Sequence, residues 1–272
     1  MLYELRHFLL TVEHGTLTAA ARHAHLTQPA LTASIQRLEQ ALDARLLERD
    51  RRGARPTAAG RALLPHARAA LAAVEDGRRA VAEIEGVEEG EVRLGAGATA
   101  CTYLLPEPLA AFRASHPRVR FQLREGSPDA LLDLLEQGLI DLAVRAGDRG
   151  EPWYEDTLIL IAAPGTDAAT APLVTFPPGS STRDLVARHL PDRSVAMELS
   201  GIAAIKAHVR AGIGVALVSR QAVGRELADG RLVEVPHPNT PIRRTLRLVH
   251  RGLDRLPPAA AALRAALLGS SD

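Results

Sequence analysis

The spacing of apolar residues changes once along this 272-residue chain, and the change divides it into two kinds of structure. Up to about Ile84 the apolar residues recur at the three- and four-residue intervals of amphipathic helices. The run EGVEEGE, residues 85–91, interrupts this pattern with glycine and acid, and beyond it apolar strands alternate with helices. We therefore predict a helical N-terminal part, a domain boundary at 85–91 and an α/β C-terminal part.

Two short helices are predicted first. The first ends at Gly15 and carries the apolar stripe Leu5, Phe8, Leu9 and Val12. The second is rich in alanine, which lets a neighbouring helix approach closely, and Thr18 is the residue expected to cap it. Leu26 follows as a buried turn residue.

A third helix is predicted from Thr27 to about Ala41. A threonine oxygen can cap the free amides, and Pro29 is tolerated in the first turn. Its apolar stripe consists of Leu31, Ile35, Leu38 and Leu42. The residues nearer the open side are small or polar: Gln28, Ala30, Thr32, Ala33 and Gln36.

An arginine-rich loop, Glu48 to Arg55, then leads into a long helix capped by Thr57 and ending near Ile84. We interpret the loop as a wing. The helix has one narrow apolar seam, of the kind that usually packs on a partner helix, formed by Leu63, Leu64, Ala67, Leu71, Val74, Val81 and Ile84.

Beyond the boundary, strands at 92–96, 119–123 and 139–144 alternate with helices at 103–115 and 130–137. This βαβαβ order predicts a parallel sheet. A second set has strands at 158–162, 173–176, 194–197 and 214–218, with helices at 183–189 and 201–210. Two α/β lobes are implied, and a last strand at 245–250 with a helix at 258–268 is expected to complete the first.

Composition excludes several classes of protein. Charged residues are 24% and apolar ones 46% of the chain, which excludes disorder, a fibre or a membrane protein. The N-terminus lacks the features of a signal peptide, and no stretch reaches about 20 apolar residues, so we expect a cytoplasmic protein. Cys101 is the single cysteine, and the ten histidines show no metal-ligand spacing, so no metal or other cofactor is predicted.

The net charge of +1 hides an uneven distribution, because the stretch from Arg51 to Val74 holds five arginines and no carboxylate. Such a segment fits contact with a polyanion, although its plainest interpretation is a solvated face.

Residues 17–67, LTAAARHAHLTQPALTASIQRLEQALDARLLERDRRGARPTAAGRALLPHA, closely resemble the DNA-binding region of LysR-type transcriptional regulators. The match combines the small-residue helix, TQPALT at the next helix start, RLE near its end, LLER before the wing and PTAAG after it. Weaker agreement continues through LLPEPL, FRASHP, GLIDLAV and VRAGIGVALV, so that nearly the whole chain is covered.

The resemblance implies an α/β protein with three parts: a winged helix-turn-helix at 1–60, a linker helix at 57–86, and a two-lobed effector domain of periplasmic-binding-protein type (type 2) at 91–272. Lobe I would be 91–157 with 243–272, and lobe II 158–242. Two departures stand out: Ala33, where many relatives place a larger polar or basic residue, and a short loop and helix absent after Gly165.

By resemblance, the third helix lies in the major groove of DNA. Gln28, Pro29, Thr32 and Ala33 would face base edges beside Gln36, Thr18 and Thr27 would hold phosphates, and Arg51 or Arg52 would enter the minor groove. Taken without the resemblance, the same residues could simply start a helix and solubilise a loop.

The seam would pair two chains, with Leu63, Leu64, Ala67, Leu71 and Val74 at the interface, and would present two heads about 34 Å apart. The family usually forms tetramers that bend operator DNA. If the seam instead packs on its own effector domain, the chain could be monomeric.

The effector would bind between the lobes, where helix N-termini present unpaired amides. Thr99, Ala100, Cys101 and Thr102 open one helix, and Ser180, Ser181 and Thr182 open another, which suits a carboxylate or another small anion. By resemblance, the wall is completed by Arg145, Ser200, Gly201, Val215 and Ala216. The alternative is that the hydroxyls only cap helices, and that Cys101 is inert packing or a redox sensor.

We therefore predict a regulator whose binding to operator DNA is modulated by a small anionic effector. Its expected partners are double-stranded operator DNA, the effector, further copies of itself, and RNA polymerase as a candidate; no membrane is expected. An enzyme is the rival from another class, but the sequence has no GxSxG elbow, P-loop or carboxylate pair. An effector-independent DNA binder with a degenerate cleft is the other alternative.

Overall fold

The computed structural model describes residues 1–50, 53–84 and 90–269, and these pack into two compact units. The first unit contains α1 (Leu2–His14), α2 (Leu17–His23), α3 (Gln28–Ala41), a hairpin of β1 (Leu47–Asp50) and β2 (Gly53–Pro56), and α4 (Ala58–Ile84). The predicted helices and the wing are confirmed, and the wing is a two-stranded antiparallel hairpin. The predicted boundary at 85–91 lies largely outside the described residues.

Local capping explains where the first helices begin and end. Gly15 ends α1 in the left-handed conformation, with a φ of 69°, and its N–H donates to the Thr11 carbonyl. Thr27 caps α3, because its hydroxyl accepts from the Ala30 N–H at 3.3 Å. The prediction for α2 was wrong: Thr16 is extended and its hydroxyl caps the Ala19 N–H, whereas Thr18 lies inside the helix.

The core of the first unit joins α1, α2, α3, the hairpin and the start of α4. Its fully buried side chains include Phe8, Leu31, Ile35 and Leu38, as the apolar stripes predict. Leu26 and Leu42 were expected to be buried but are 38% and 41% exposed. Leu26 sits in the turn between α2 and α3, and Leu42 follows the last turn of α3, so neither faces the core.

The apolar seam of α4 is divided between two environments. Ala67 is buried in the core of the first unit, and Leu63 and Leu64 pack partly against it. Leu71 is half-buried, whereas Val74 and Val81 are 52% and 61% exposed. The first two turns of the seam therefore cover the head of the same chain, and the exposed part of the seam lies further along α4.

The second unit carries the remaining strands, with helices alternating between them. In chain order the strands are β3 (Glu91–Ala96), β4 (Arg120–Glu125), β5 (Leu142–Ala146), β6 (Glu151–Ala162), β7 (Leu173–Thr175), β8 (Val195–Glu198), β9 (Ala216–Ser219), β10 (Val233–Glu234) and β11 (Ile242–Val249). The helices are α5 (Pro106–Ser115), α6 (Pro128–Glu136), α7 (Ser181–His189), α8 (Ile202–Arg210), α9 (Gly224–Ala228) and α10 (Pro258–Gly269). A π-helical turn, Ala100–Leu104, precedes α5.

The main sheet has the order β10-β6-β11-β5-β3-β4, and β9 also pairs with β6. Its β3, β4 and β5 are parallel, as the βαβαβ order predicts. The antiparallel pairing of β11 with both β5 and β6 was not predicted. It was missed because only residues 158–162 of β6 carry the continuous apolar run of a buried strand.

Separate hydrophobic clusters lie in the two parts of this unit that the sequence analysis calls lobe I and lobe II. The lobe I core joins β3, α5 and α10 around Leu94, Phe112 and Leu263. Lobe II has its own apolar clusters around Ile159, Ile205 and Leu217. The strand β6 serves both, because it places Trp153 in the first core and Ile159 in the second. No helix occurs between β6 and β7, across residues 163–172.

His7 of α1 contacts the inner face of α3. Its Nδ1 lies 2.7 Å from the hydroxyl of Ser34, which is buried on the inner face of α3. Burial lowers the pKa of His7 below its usual 6.5, Arg6 and Arg37 lower it further, and Glu4 opposes this. The neutral imidazole is therefore the form that fits the folded head.

Gly53 allows the wing to close against the α1–α2 turn. Its φ is +126°, and the Ala54 N–H donates to the Gly15 carbonyl at 2.7 Å. A Cβ at residue 53 would lie 2.2 Å from that carbonyl oxygen. A side chain is therefore excluded by both the backbone conformation and the contact.

We predict that Gly53→Ala destabilises the protein by at least about 2 kcal/mol, because the alanine must adopt a strained φ and push the wing off its support. Gly77→Ala is the matched control, since residue 77 is exposed on α4 with nothing near its Cβ position, and it should be neutral or stabilising. Thermal unfolding measures both. An unfolding temperature of G53A equal to that of wild type would contradict this role of Gly53.

The lowered pKa of His7 predicts a loss of stability in acid. Because the folded state binds the proton less readily than the unfolded chain, stability should fall as pH drops below the unfolded value of about 6.5. His7→Asn places an amide near the position of Nδ1 and removes the titration. Unfolding temperatures at pH 7.5 and 5.5 should therefore differ less for H7N than for wild type, while exposed His66→Asn should keep the wild-type difference.

Candidate functional site

The first candidate site is the N-terminal, open face of α3. Thr27, Gln28, Pro29, Ala33 and Gln36 are exposed and Thr32 is half-exposed, as the helical spacing predicts. Thr18, on α2, is exposed too. The first turns of α3 therefore present a glutamine amide and threonine hydroxyl groups to solvent, which is the chemistry that base edges and phosphates require. Arg51 and Arg52, at the tip of the wing, lie outside the described residues.

The other end of α3 is tied to the wing. The Glu39 carboxylate accepts hydrogen bonds from the backbone N–H groups of Leu46 and Leu47, at 2.8 and 3.3 Å. Thr57 joins the wing to α4, because its hydroxyl donates to the Arg45 carbonyl and accepts from the Gly60 N–H. These bonds hold the wing at a fixed position beside α3. This role of Glu39 was not predicted from the sequence.

The second candidate site is a cavity of about 250 Å³ in the second unit, between the two lobes. Seven predicted effector residues line it: Thr99, Ala100, Arg145, Ser180, Ser181, Thr182 and Ser200. A neighbouring cavity of about 390 Å³ shares Arg145, Ser181 and Arg244 with the first.

Five predicted effector residues do not line the cavity. Val215 and Ala216 are fully buried in the apolar clusters of lobe II, because they lie at the start of the central strand β9. Thr102 is exposed in the π-helical turn, and Gly201 is the exposed residue before α8. Cys101 packs against the lobe I core, and its thiol donates to the Ala96 carbonyl.

Burial, followed by the charge of Glu125, raises the pKa of the Cys101 thiol to about 11. The thiol is therefore protonated near neutral pH, and a protonated thiol is a poor nucleophile. This environment does not favour the redox-sensor interpretation.

Two helices begin at the cavity. The Ser180 hydroxyl caps α7 by accepting from the Thr182 N–H at 3.3 Å, and the Ser127 hydroxyl caps α6 by accepting from the Ala130 N–H at 3.3 Å. Both serines line the cavity. The positive ends of two helix dipoles thus face the same space. Ser127 was missed, although Ser-Pro-Asp before an apolar run is a recognisable helix start.

Two arginines of the cavity wall have different surroundings. The Nε of Arg145 is buried and has no hydrogen-bond partner among the described residues. Arg244, which was not predicted from the sequence, donates from Nε to the Asp156 carboxylate at 2.9 Å and forms a salt bridge with it at 2.8 Å. Its other hydrogen bonds reach Thr99, Ser181 and Thr182.

Among the described residues, no group of three or more histidine, cysteine or acidic side chains could hold a metal ion. Within the same part of the chain, no helix is both long and apolar enough to cross a membrane.

Two family models match separate parts of the chain. Residues 2–61 match the model of the bacterial regulatory helix-turn-helix protein, lysR family, and residues 85–271 match the LysR substrate binding domain. The chain is 33% identical to the HTH-type transcriptional regulator CfxR of Cupriavidus necator, over 98% of this chain and 90% of that protein. It is 31% identical to CbbR of Rhodospirillum rubrum, over 98% and 95%.

Solved structures show the same fold. The crystal structure of CbnR, a LysR family transcriptional regulator, superposes with a TM-score of 0.73 at 22% identity, covering 100% of this chain and 99% of that one. The crystal structure of ArgP from Mycobacterium tuberculosis gives 0.71 at 22% identity, covering 98% and 97%. The predicted fold class is thereby confirmed. The chain belongs to the LysR family: it is a DNA-binding transcriptional regulator with a LysR substrate-binding domain, and not an enzyme.

Proposed function

We propose that this regulator reads a specific operator through the N-terminal face of α3, and that a small anion in the cavity between its lobes modulates that binding. The observation that carries the proposal is the arginine-lined cavity with two helix N-termini, in a chain whose head exposes a polar recognition surface. Regulation would follow from a difference in anion affinity between two states of the protein.

The recognition surface supports sequence-specific readout. Gln28 is exposed in the first turn of α3, where a glutamine amide can donate and accept at adenine. Thr32 stands one turn further along the same face. Ala33 offers a methyl group suited to apolar contact with thymine rather than a hydrogen bond.

Dimerisation through α4 supplies the second head. The proposed contact is the part of the seam that the head leaves uncovered, marked by Val74 and Val81, which are 52% and 61% exposed. The two valines are seven residues apart and so lie on the same face of α4. A second copy of the helix packed on this face would remove them from water. A pair of heads contacts more of the operator than one recognition helix can.

An anionic effector fits the cavity because of Arg145. Its guanidinium carries a full charge and has an unused buried donor, while the N-termini of α6 and α7 add partial positive charge. A carboxylate or phosphate would satisfy all three features. Closure of the lobes on the anion would then alter the packing of dimers and the spacing of heads on DNA.

The short connection between β6 and β7 motivates a second candidate, an effector-independent regulator with a degenerate cleft. This candidate predicts that no small anion raises the unfolding temperature, whereas the proposed function predicts a shift that depends on Arg145.

We predict that Gln28→Ala lowers affinity for an operator selected from random duplexes by about 5- to 150-fold, the range that corresponds to about 1–3 kcal/mol for a lost bidentate base contact. Gln40→Ala is the matched control, since this exposed glutamine lies at the opposite end of α3. Fluorescence anisotropy at one fixed salt concentration measures both. Equal losses for the two variants, or none, would contradict readout by Gln28.

We predict that, in a screen of small carboxylates and phosphates, at least one compound raises the unfolding temperature of the wild-type protein by several degrees at saturating concentration. Arg145→Gln should abolish the shift, because it removes the charge that the anion would neutralise. Arg149→Gln, at an exposed arginine of the following loop, is the matched control and should keep the shift. A screen without hits in wild type would favour the effector-independent candidate.

A further inference from the structure

One buried ion pair lies at the junction of the two lobes. Asp156 of β6 and Arg244 of β11 are directly opposite each other in the antiparallel register. The Asp156 side chain is fully buried and that of Arg244 is 9% exposed. The other carboxylate oxygen of Asp156 accepts a hydrogen bond of 2.6 Å from the Ser219 hydroxyl on β9. Asp156 is therefore held on both sides.

The guanidinium of Arg244 also bridges the two walls of the cavity. Its Nη2 donates to the Thr99 hydroxyl, which follows the first strand of lobe I, at 3.3 Å. Its Nη1 lies 3.3 and 3.2 Å from the hydroxyls of Ser181 and Thr182, at the start of α7 in lobe II. The same hydroxyls are the ones that the sequence assigns to the effector.

We propose that Arg244 is an anchor that binds the acidic group of the effector. Asp156 lowers the affinity of this anchor for an anion, because its carboxylate neutralises the charge of Arg244. Asp156 acts here as a positioning residue. This inference rests on the proposed anionic effector and adds a specificity-determining pair to it.

An anion that binds at Arg244 competes with groups of the protein. It must take Thr99, Ser181 and Thr182 away from Arg244, or accept from Arg244 beside them. A fixed carboxylate on the same guanidinium cancels most of its field, since two unit charges a few ångströms apart interact strongly in a poorly solvated site. Arg145 supplies a buried Nε donor that has no partner among the described residues, whereas the donors of Arg244 already bind Asp156 and the wall hydroxyls.

Asp156→Asn tests the proposal directly. The asparagine is isosteric, its amide oxygen can accept from Arg244, and its NH₂ group can donate to Ser219. The probe is inorganic phosphate, titrated calorimetrically into the full-length protein at constant ionic strength. D156N should bind phosphate at least about tenfold more tightly than wild type, because the charge of Arg244 is no longer matched.

Asp141→Asn is the matched control. Asp141 is equally buried and pairs with Arg93 at 2.7 Å in the same unit, but neither residue lines the cavity. D141N should lose stability without any gain in phosphate affinity. A gain of the same size in D141N would assign the effect to general loosening of the unit and overturn the proposal.

Arg244→Gln separates binding from folding. R244Q leaves the buried carboxylate of Asp156 without its partner, so it should lower both the unfolding temperature and the phosphate affinity. The double variant D156N/R244Q should recover the unfolding temperature but not the affinity. Phosphate affinity equal to wild type in both D156N and the double variant would overturn the role of Arg244. The proposal of an anionic effector would then still be tested separately, by the thermal shift of Arg145→Gln.

Discussion

The antiparallel pairing of β6 with β11 is the constraint on which the second unit depends. Seven residue pairs, from Ile242 opposite Leu158 to Leu248 opposite Glu151, join two strands that each contribute to both lobes. Their apolar side chains enter the lobe I core at one end and the lobe II core at the other. At the crossing, where neither core continues, the ladder places Asp156 opposite Arg244. The cavity therefore lies at the point where β6 and β11 pass from the lobe I core to the lobe II core.

Much of this fold could be predicted from the sequence, because the signals involved are local. The helices of the head follow from apolar stripes and from caps such as Thr27 and Gly15, which act within one turn. The parallel order of β3, β4 and β5 follows from the alternation of strands and helices. The hydroxyls at the starts of the π-helical turn and α7 could be placed at the cleft for the same reason. Each of these inferences needs only neighbouring residues.

The parts that the sequence did not predict depend on distant partners. Asp156 and Arg244 are 88 residues apart, and the first half of β6 alternates too weakly to be recognised as a strand without its neighbour β11. Val215 and Ala216 were placed at the cleft although β9 buries them in the centre of lobe II. On α4, the spacing of apolar residues alone could not show which of them cover the head of the same chain.

Arg145 and Arg244 are residues of the same type with different surroundings. Both line the same cavity, and both carry a permanent charge. The Nε of Arg145 is buried without a hydrogen-bond partner among the described residues, so the proposed anion would gain a charge-assisted hydrogen bond there. Arg244 already satisfies a buried carboxylate and hydroxyls on both walls, so an anion gains only the difference between its own bonds and those it replaces. Under the proposed function, Arg145 would be the stronger anchor and Arg244 the adjustable one. Because Arg244 donates to hydroxyls on both walls of the cavity, binding of the anion would also act on the angle between the lobes.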